Sequence, residues 1–234
     1  MPLIQAIELS KTYQEWSTVV EAVKGVTLSV EPSEMVAIMG PSGSGKTTLL
    51  SMMGCLLKPT GGQLIIQDRE VTRLSEKALP GVRLHALGFI FQAFNLFASL
   101  TALENLLVVA QLRGMKKGPA RREAEQLLGQ VGLGDRMHFL PRDLSGGQKQ
   151  RVSIARALVA TPPLILADEP TGNLDSRTGM EIIEILRGLA KERQCGVVIV
   201  THDQRIAQLV DQVLHLEDGI LTNGNGAKEA NEAK

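Results

Sequence analysis

Gly40-Pro41-Ser42-Gly43-Ser44-Gly45-Lys46-Thr47-Thr48 follows the apolar run Met35-Val36-Ala37-Ile38-Met39 and leads into Leu49-Leu50-Ser51-Met52-Met53. A buried strand, a glycine-rich turn and a helix start, in that order, make a P-loop. The glycines open backbone conformations closed to other residues and let main-chain N–H groups converge on phosphate oxygens. A helix beginning near Gly45 adds its positive dipole end. Lys46 supplies a point charge for β- and γ-phosphates, and the Thr47 hydroxyl suits a Mg²⁺ ion that keeps most of its waters.

The rest of the chain is consistent with a nucleotide-handling domain. Its 234 residues suit one domain, or one domain with an inserted subdomain. Hydrophobic residues make up 44% and aromatics 3%, so the core is aliphatic. Lysine plus arginine equals aspartate plus glutamate, 25 each, which carries no general nucleic-acid or anionic-membrane signal. Cys55 and Cys195 lack CxxC spacing and read as reduced, buried thiols of a cytosolic protein. Met1-Pro2-Leu3-Ile4-Gln5 has no basic region followed by a long apolar stretch, so no signal peptide is expected, and no apolar run approaches bilayer length. Any service to a membrane would go through a partner.

Upstream of the P-loop, residues 3–9 and 26–30 read as strands, with Val26, Leu28 and Val30 alternating with polar neighbours. Tyr13 lies between them, either as a surface loop tyrosine or as a ring that stacks on a purine; Trp16 is a weaker candidate for the same role. Downstream, Leu64-Ile65-Ile66 is a short strand after the turn cluster 58–62, about 72–86 reads as helical, and 87–91 is a strand ending at Gln92. Gln92 is either an ordinary loop glutamine or a mobile amide that reaches Mg²⁺ or an attacking water.

From about 93 to 157 the periodicity is helical. Leu103, Leu106, Leu107 and Ala110 share one face, and Ala124, Leu127, Leu128 and Val131 another. Residues 113–119 form a basic turn between them, and Arg121-Arg122 reads as a solvated helix start. The loop carrying Phe94, Leu96 and Phe97 is unusually apolar, as core or as a docking surface. Leu144-Ser145-Gly146-Gly147-Gln148 then opens another helix, with Ser145 as N-cap and glycines that leave the N-terminus bare. That is a second anion site, surplus for one nucleotide unless it acts on a nucleotide held by another subunit.

Leu164-Ile165-Leu166-Ala167-Asp168-Glu169 is a buried strand ending in two carboxylates, which point to opposite faces and so take different roles. Asp168 fits a carboxylate ordering Mg²⁺ through its water shell, and Glu169 a base for water attacking a γ-phosphate. The turn-rich 170–175 leads to an amphipathic helix over about 178–192, and 196–201 is a strand ending at His202. Strand ends are where α/β sheets bind ligands, so His202 is set apart from His85, His138 and His215, which read as structural. A last strand covers about 212–216, and the polar tail 223–234 reads as disordered.

Together these motifs resemble the ATP-binding cassette (ABC) ATPases, the motor subunits of ABC transporters, over essentially all of 3–220. They stand in the family's order: Walker A at 40–48 (Gly40, Pro41, Ser42, Gly43, Ser44, Gly45, Lys46, Thr47, Thr48), the Q-loop Gln92, the signature 144–148, Walker B at 164–169, the D-loop Asn173-Leu174-Asp175 and the switch His202. Tyr13 falls at the family's adenine-stacking aromatic. The resemblance implies a P-loop NTPase α/β fold: a RecA-like core (1–91 and 158–222) with an antiparallel β subdomain, plus an inserted α-helical subdomain (92–157). It implies ATP and Mg²⁺ as cofactors, with Thr47, Gln92 and Asp168 toward the metal and Glu169, His202 and Gln92 catalytic. It also implies a head-to-tail homodimer sandwiching ATP, in which Ser145, Gly146, Gly147 and Gln148, with Asp175, serve the neighbour's nucleotide.

Within the family the chain is similar to the LolD/MacB/FtsE group through 14–20, Gly88-Phe89-Ile90-Phe91-Gln92 and 167–176, and to DevA-type glycolipid exporters through Phe91-Gln92-Ala93-Phe94-Asn95-Leu96. Gln148-Lys149-Gln150 stands where LolD-like proteins often read Glu-Gln-Gln. The resemblance implies a separate transmembrane permease subunit at the cytoplasmic face of the inner membrane, with a periplasmic adaptor reached through it, and export or extraction of a lipid, lipoprotein or other amphipathic substrate. An FtsE-like ATPase regulating cell-wall hydrolysis without transport would carry the same catalytic residues. A soluble ABC protein acting on nucleic acid would need a basic patch, a second cassette or a long coiled coil, and the sequence has none of these.

Overall fold

A computed structural model describes residues 1–15 and 18–223. Trp16 and the tail from 224 onward, both singled out in the sequence, lie outside the described residues. The chain runs β1 (Ile4–Glu15), β2 (Thr18–Val30), β3 (Met35–Met39), α1 (Lys46–Met53), β4 (Gly61–Ile66), β5 (Arg69–Glu70), α2 (Leu79–Ala86) and β6 (Leu87–Phe91). It continues through α3 (Ala102–Leu112), α4 (Lys117–Gln130), α5 (Gly146–Leu158), β7 (Leu164–Asp168), α6 (Ser176–Glu192), β8 (Gly196–Thr201), β9 (Gln212–Glu217) and β10 (Ile220–Asn223).

The strands form two sheets, ordered β10-β9-β3-β8-β7-β6 and β2-β1-β4-β5. In the first, β3, β8, β7 and β6 pair in parallel, as do β3 and β9. A strand buried on both faces must be apolar throughout, and β3 and β8 are buried at every position. Register lines up the carboxyl ends: Met39 lies opposite Thr201, Asp168 opposite Val200, and Phe91 opposite Asp168. The P-loop, Gln92, Glu169 and His202 all leave the sheet at that edge, where open α/β sheets bind ligands.

One core cluster joins the parallel sheet to α3, α4, α5 and α6, and a second joins it to α1 and the antiparallel sheet. Leu103, Leu106 and Ala110 are buried on α3, and Ala124, Leu127 and Leu128 on α4, at the i, i+3, i+4, i+7 spacing that marks an inward stripe. Thr101 caps α3 through a reciprocal box with Glu104.

Several expectations need correction. Tyr13 is in a strand, not a loop: β1 and β2 continue past the alternating segment as a bulged hairpin in which Tyr13 pairs with Val20. The helix expected from 72 begins only at Leu79, and a further strand, β10, pairs with β9 and takes Asn223 out of the tail. Arg113 opens the expected basic turn but does not extend from it. It folds inward and donates to the main-chain oxygens of Leu87 (2.7 Å) and Val159 (3.1 Å), tying the end of α3 to the start of β6 and the end of α5.

Candidate functional site

Ser42, Gly43, Gly45, Lys46, Thr47, Thr48, Gln92, Glu169 and His202 line a single cleft of about 600 Å³ at the carboxyl edge of the parallel sheet. Local chemistry shapes its floor. Gly45 caps α1 with φ 101°, in the left-handed region, and a Cβ there would meet the Ala22 carbonyl oxygen at 2.2 Å, so only glycine fits. No side chain caps α1, leaving its first N–H groups directed into the cleft. The Ser44 hydroxyl is buried without a hydrogen-bond partner. Lys46 is 7% exposed, and its ammonium donates to the carbonyls of Gly40 (2.8 Å) and Pro41 (2.7 Å). A buried cation resting on its own loop, beside an uncapped helix start, is an arrangement that an anion completes.

The two carboxylates diverge as their alternation requires. Asp168 ends β7 and accepts from the Thr47 hydroxyl at 3.3 Å. Burial pushes its carboxyl above the ordinary value and the adjacent Glu169 charge adds to this, while the Thr47 bond and Lys46 oppose it. Glu169 turns out of the strand with φ 45°, a left-handed conformation that strains a non-glycine residue. Its two carboxylate oxygens are held separately: Thr201 Oγ1 donates to one at 3.2 Å, and His202 Nδ1 pairs with the other at 3.0 Å. An ionised carboxylate only accepts, so in that state the pairing puts the hydrogen on Nδ1 and leaves the His202 Nε2 acceptor free.

Gln92 follows β6, and its main-chain oxygen accepts from Asn173 Nδ2 at 2.8 Å. Its amide lies so close to Gly172 that a Cβ there would meet Nε2 at 2.7 Å.

The signature forms a separate surface. Ser145 caps α5, its Oγ accepting from Gln148 N at 3.3 Å while Gln148 Oε1 accepts from Ser145 N at 2.9 Å. Gly147 packs against Thr178, which lies one turn into the helix that Asp175 caps through Thr178 N at 3.0 Å. That bond holds the Asp175 carboxyl below its usual range. None of Ser145, Gly146, Gly147, Gln148 or Asp175 lines the cleft of their own chain. Tyr13 does not line it either; the residue is 38% exposed, and its ring carries the Lys11 ammonium 5.3 Å from its centroid.

Sequence reasoning missed Ala22, Thr201, Gln150 and Arg156. Ala22 brings a backbone oxygen to the P-loop and has no side-chain signal to read. Thr201 ends a strand next to His202, and its place there was a usable clue. Gln150 and Arg156 sit within the helical repeat of α5 and act on distant loops.

Comparison with known proteins agrees with this geometry. Residues 23–172 match the family described as ABC transporter. The chain is 43% identical over 217 residues to the lipoprotein-releasing system ATP-binding protein LolD of Geobacter metallireducens, covering 93% of this chain and 96% of that one. It is 42% identical over 227 residues to the macrolide export ATP-binding/permease protein MacB of Marinobacter nauticus, where it spans only 35% of the relative's length. Its structure is similar to the ATP-binding cassette MJ0796, solved as a dimer in a post-hydrolysis state with ADP and Pi, at TM-score 0.85 and 40% identity over 94% of this chain and 98% of that one. The chain belongs to the ABC transporter family and has the fold of its ATPase cassettes.

Proposed function

We propose that this chain is the ATP-hydrolysing motor of a transport system of the LolD and MacB type, working as a head-to-tail homodimer beneath a separate transmembrane permease. Among the described residues no helix is long and apolar enough to cross a membrane. By the kinship with LolD and MacB, the reading puts the cassette at the cytoplasmic face of the inner membrane. The observation that carries it is the cleft in which Lys46 and the uncapped start of α1 face Glu169 and His202.

The chain's own groups divide the work. Main-chain N–H groups of 43–48 and the Lys46 ammonium bind phosphate oxygens. Thr47 and Asp168 offer hard oxygens 3.3 Å apart, which suits Mg²⁺; that ion takes few protein ligands and retains water. Bound there, Mg²⁺ would neutralise charge on the phosphates. Glu169, braced by Thr201 and His202, would accept a proton from a water, and His202 and Gln92 line the same cleft.

Ser145 and the bare N-terminus of α5 would cap the γ-phosphate on the neighbouring subunit, which accounts for their absence from their own cleft. With this we divide the chain into a core (1–91 and 158–222) and a helical subdomain (92–157). Between them an apolar groove of about 420 Å³, lined by Leu84, Phe89, Phe91 and Phe97 among others, opens beside the loop after Gln92. Phe97 is 50% exposed there. That groove is where we place a cytoplasmic helix of the permease. By the kinship with LolD and MacB, the cargo is a lipid, lipoprotein or other amphipathic molecule.

Glu169→Gln tests the core of this reading. The variant is expected to bind ATP, to lose at least about 100-fold in hydrolysis, and to accumulate an ATP-dependent dimer on size-exclusion chromatography. Steady-state hydrolysis at the parent rate would remove Glu169 from the role of base.

A further inference from the structure

Arg156 is buried to 8% exposure in the last turn of α5, and among the described residues it has no carboxylate partner. A guanidinium out of water and without a counter-charge is costly unless its donors are satisfied. Here two of its five N–H donors are taken by the main chain of one short loop. Nη2 donates to the Phe94 carbonyl at 2.9 Å, and Nη1 to the Asn95 carbonyl.

Those two residues are unusual in their own right. Phe94 has φ 63° and Asn95 φ 49°, consecutive left-handed residues neither of which is glycine. Such conformations persist only where the surroundings over-determine them. Asn95 N donates to Ala93 O at 2.7 Å and Phe94 N to Phe91 O at 3.1 Å, so 91–95 is one tight turn. Its upstream end is anchored by Asn173 on the Gln92 carbonyl. Its downstream end is anchored by Arg156.

We infer that Arg156 is a positioning residue for Gln92: its fork on the Phe94 and Asn95 carbonyls holds the strained turn that delivers the Gln92 amide to the cleft. The residue touches no reacting group and acts through the loop. Because Ser145 caps α5, one helix carries the signature at its start and the support of the Gln92 turn at its end. The inference rests on the proposed role of Gln92, and its test separates the two.

The test combines Arg156→Ala, Arg156→Lys and Gln92→Ala, singly and as double variants, with steady-state hydrolysis, ATP affinity and amide hydrogen exchange of the nucleotide-free protein. Arg156→Ala is expected to lower kcat by about 10- to 100-fold, the scale of a misplaced catalytic group, with ATP affinity unchanged. Exchange at the Phe94 and Asn95 amides should accelerate. Arg156→Lys keeps a cation and part of the donor set, so it should recover part of kcat; it also serves if the alanine variant does not fold. In the Gln92→Ala background neither Arg156 variant should lower kcat further, as expected for residues acting in series. Fully additive losses, or unchanged exchange at 94–95, overturn the link between Arg156 and Gln92. Parent-rate hydrolysis by Gln92→Ala alone overturns the role of Gln92, and the proposal with it.

Discussion

The side-chain amide of Gln150, wholly buried in α5, donates to the main-chain oxygen of Pro170 across 2.7 Å. Pro170 directly follows Glu169, whose left-handed backbone turns the carboxylate toward the cleft. Gln150 therefore braces the strained turn from behind, one and a half helical turns from Ser145 on the same helix. Gln150→Leu keeps the volume and removes the donor, leaving a buried carbonyl unpaired. Leucine also removes the buried, unpaired Gln150 Oε1, so urea unfolding should show a net loss of no more than about 1 kcal/mol, while kcat should fall at saturating ATP. Parent stability together with parent kcat would show that the Glu169 turn holds without this brace.

Gly172 faces Gln92 so closely that a methyl group would displace its amide, with Nε2 at 2.7 Å and Cδ at 3.1 Å from the added carbon. The obstruction is the end of a flexible side chain, so the fold can absorb Gly172→Ala while the amide moves. Thermal unfolding should therefore change little and kcat should drop, with ATP affinity retained. A variant hydrolysing at the parent rate would mean that Gln92 works from a rotamer clear of Gly172.

How much of this was legible in the chain depended on where each signal resides. The P-loop reads directly because strand burial, glycine conformations and helix start follow one another locally. The strands 87–91 and 196–201 match their apolar runs to the residue. Tyr13 was misplaced because β1 and β2 extend beyond the core, where paired strands expose both faces and alternation vanishes; Val19 and Val20 are 63% and 51% exposed. β10 escaped for the same reason, being four largely solvated residues whose sheet partner is β9. Gln150 and Arg156 could not be read as site residues, because the groups they serve are carbonyls 20 and about 60 positions away. A carbonyl leaves no trace in side-chain identity.

Cys55 and Cys195 are free and buried, and burial pushes each thiol up to about 11. Arg83 beside Cys55, and Arg193 and Arg113 near Cys195, pull the other way and are outweighed. A thiol raised this far is almost entirely protonated at pH 8, and the thiolate is the nucleophile. The native protein at pH 8 should therefore react slowly with an aromatic disulfide reagent, and both thiols should titrate rapidly once urea unfolds the chain. Stoichiometric reaction of the native protein within the mixing time would contradict the packing around both residues.

Ser145 and Lys46 belong to different surfaces of one chain, since the signature does not line the cleft that holds the P-loop lysine. A composite site made by two copies has a consequence that a self-contained site lacks. Ser145→Arg removes the α5 cap, at about 1 kcal/mol, and sets a bulky cation where the neighbour's phosphate would seat. It should abolish ATP-driven dimerisation and hydrolysis while the monomer still binds nucleotide. Lys46→Ala should be inactive for the opposite reason, since its own cleft lacks the phosphate-binding cation. Mixed together, the two variants can form a heterodimer with one intact site: Lys46 from the Ser145→Arg copy and Ser145 from the Lys46→Ala copy. Hydrolysis by the mixture, where neither variant alone turns over, is the expected result. If every catalytic group acted within its own chain, mixing would join two dead sites and restore nothing, and the head-to-tail arrangement would have to be abandoned.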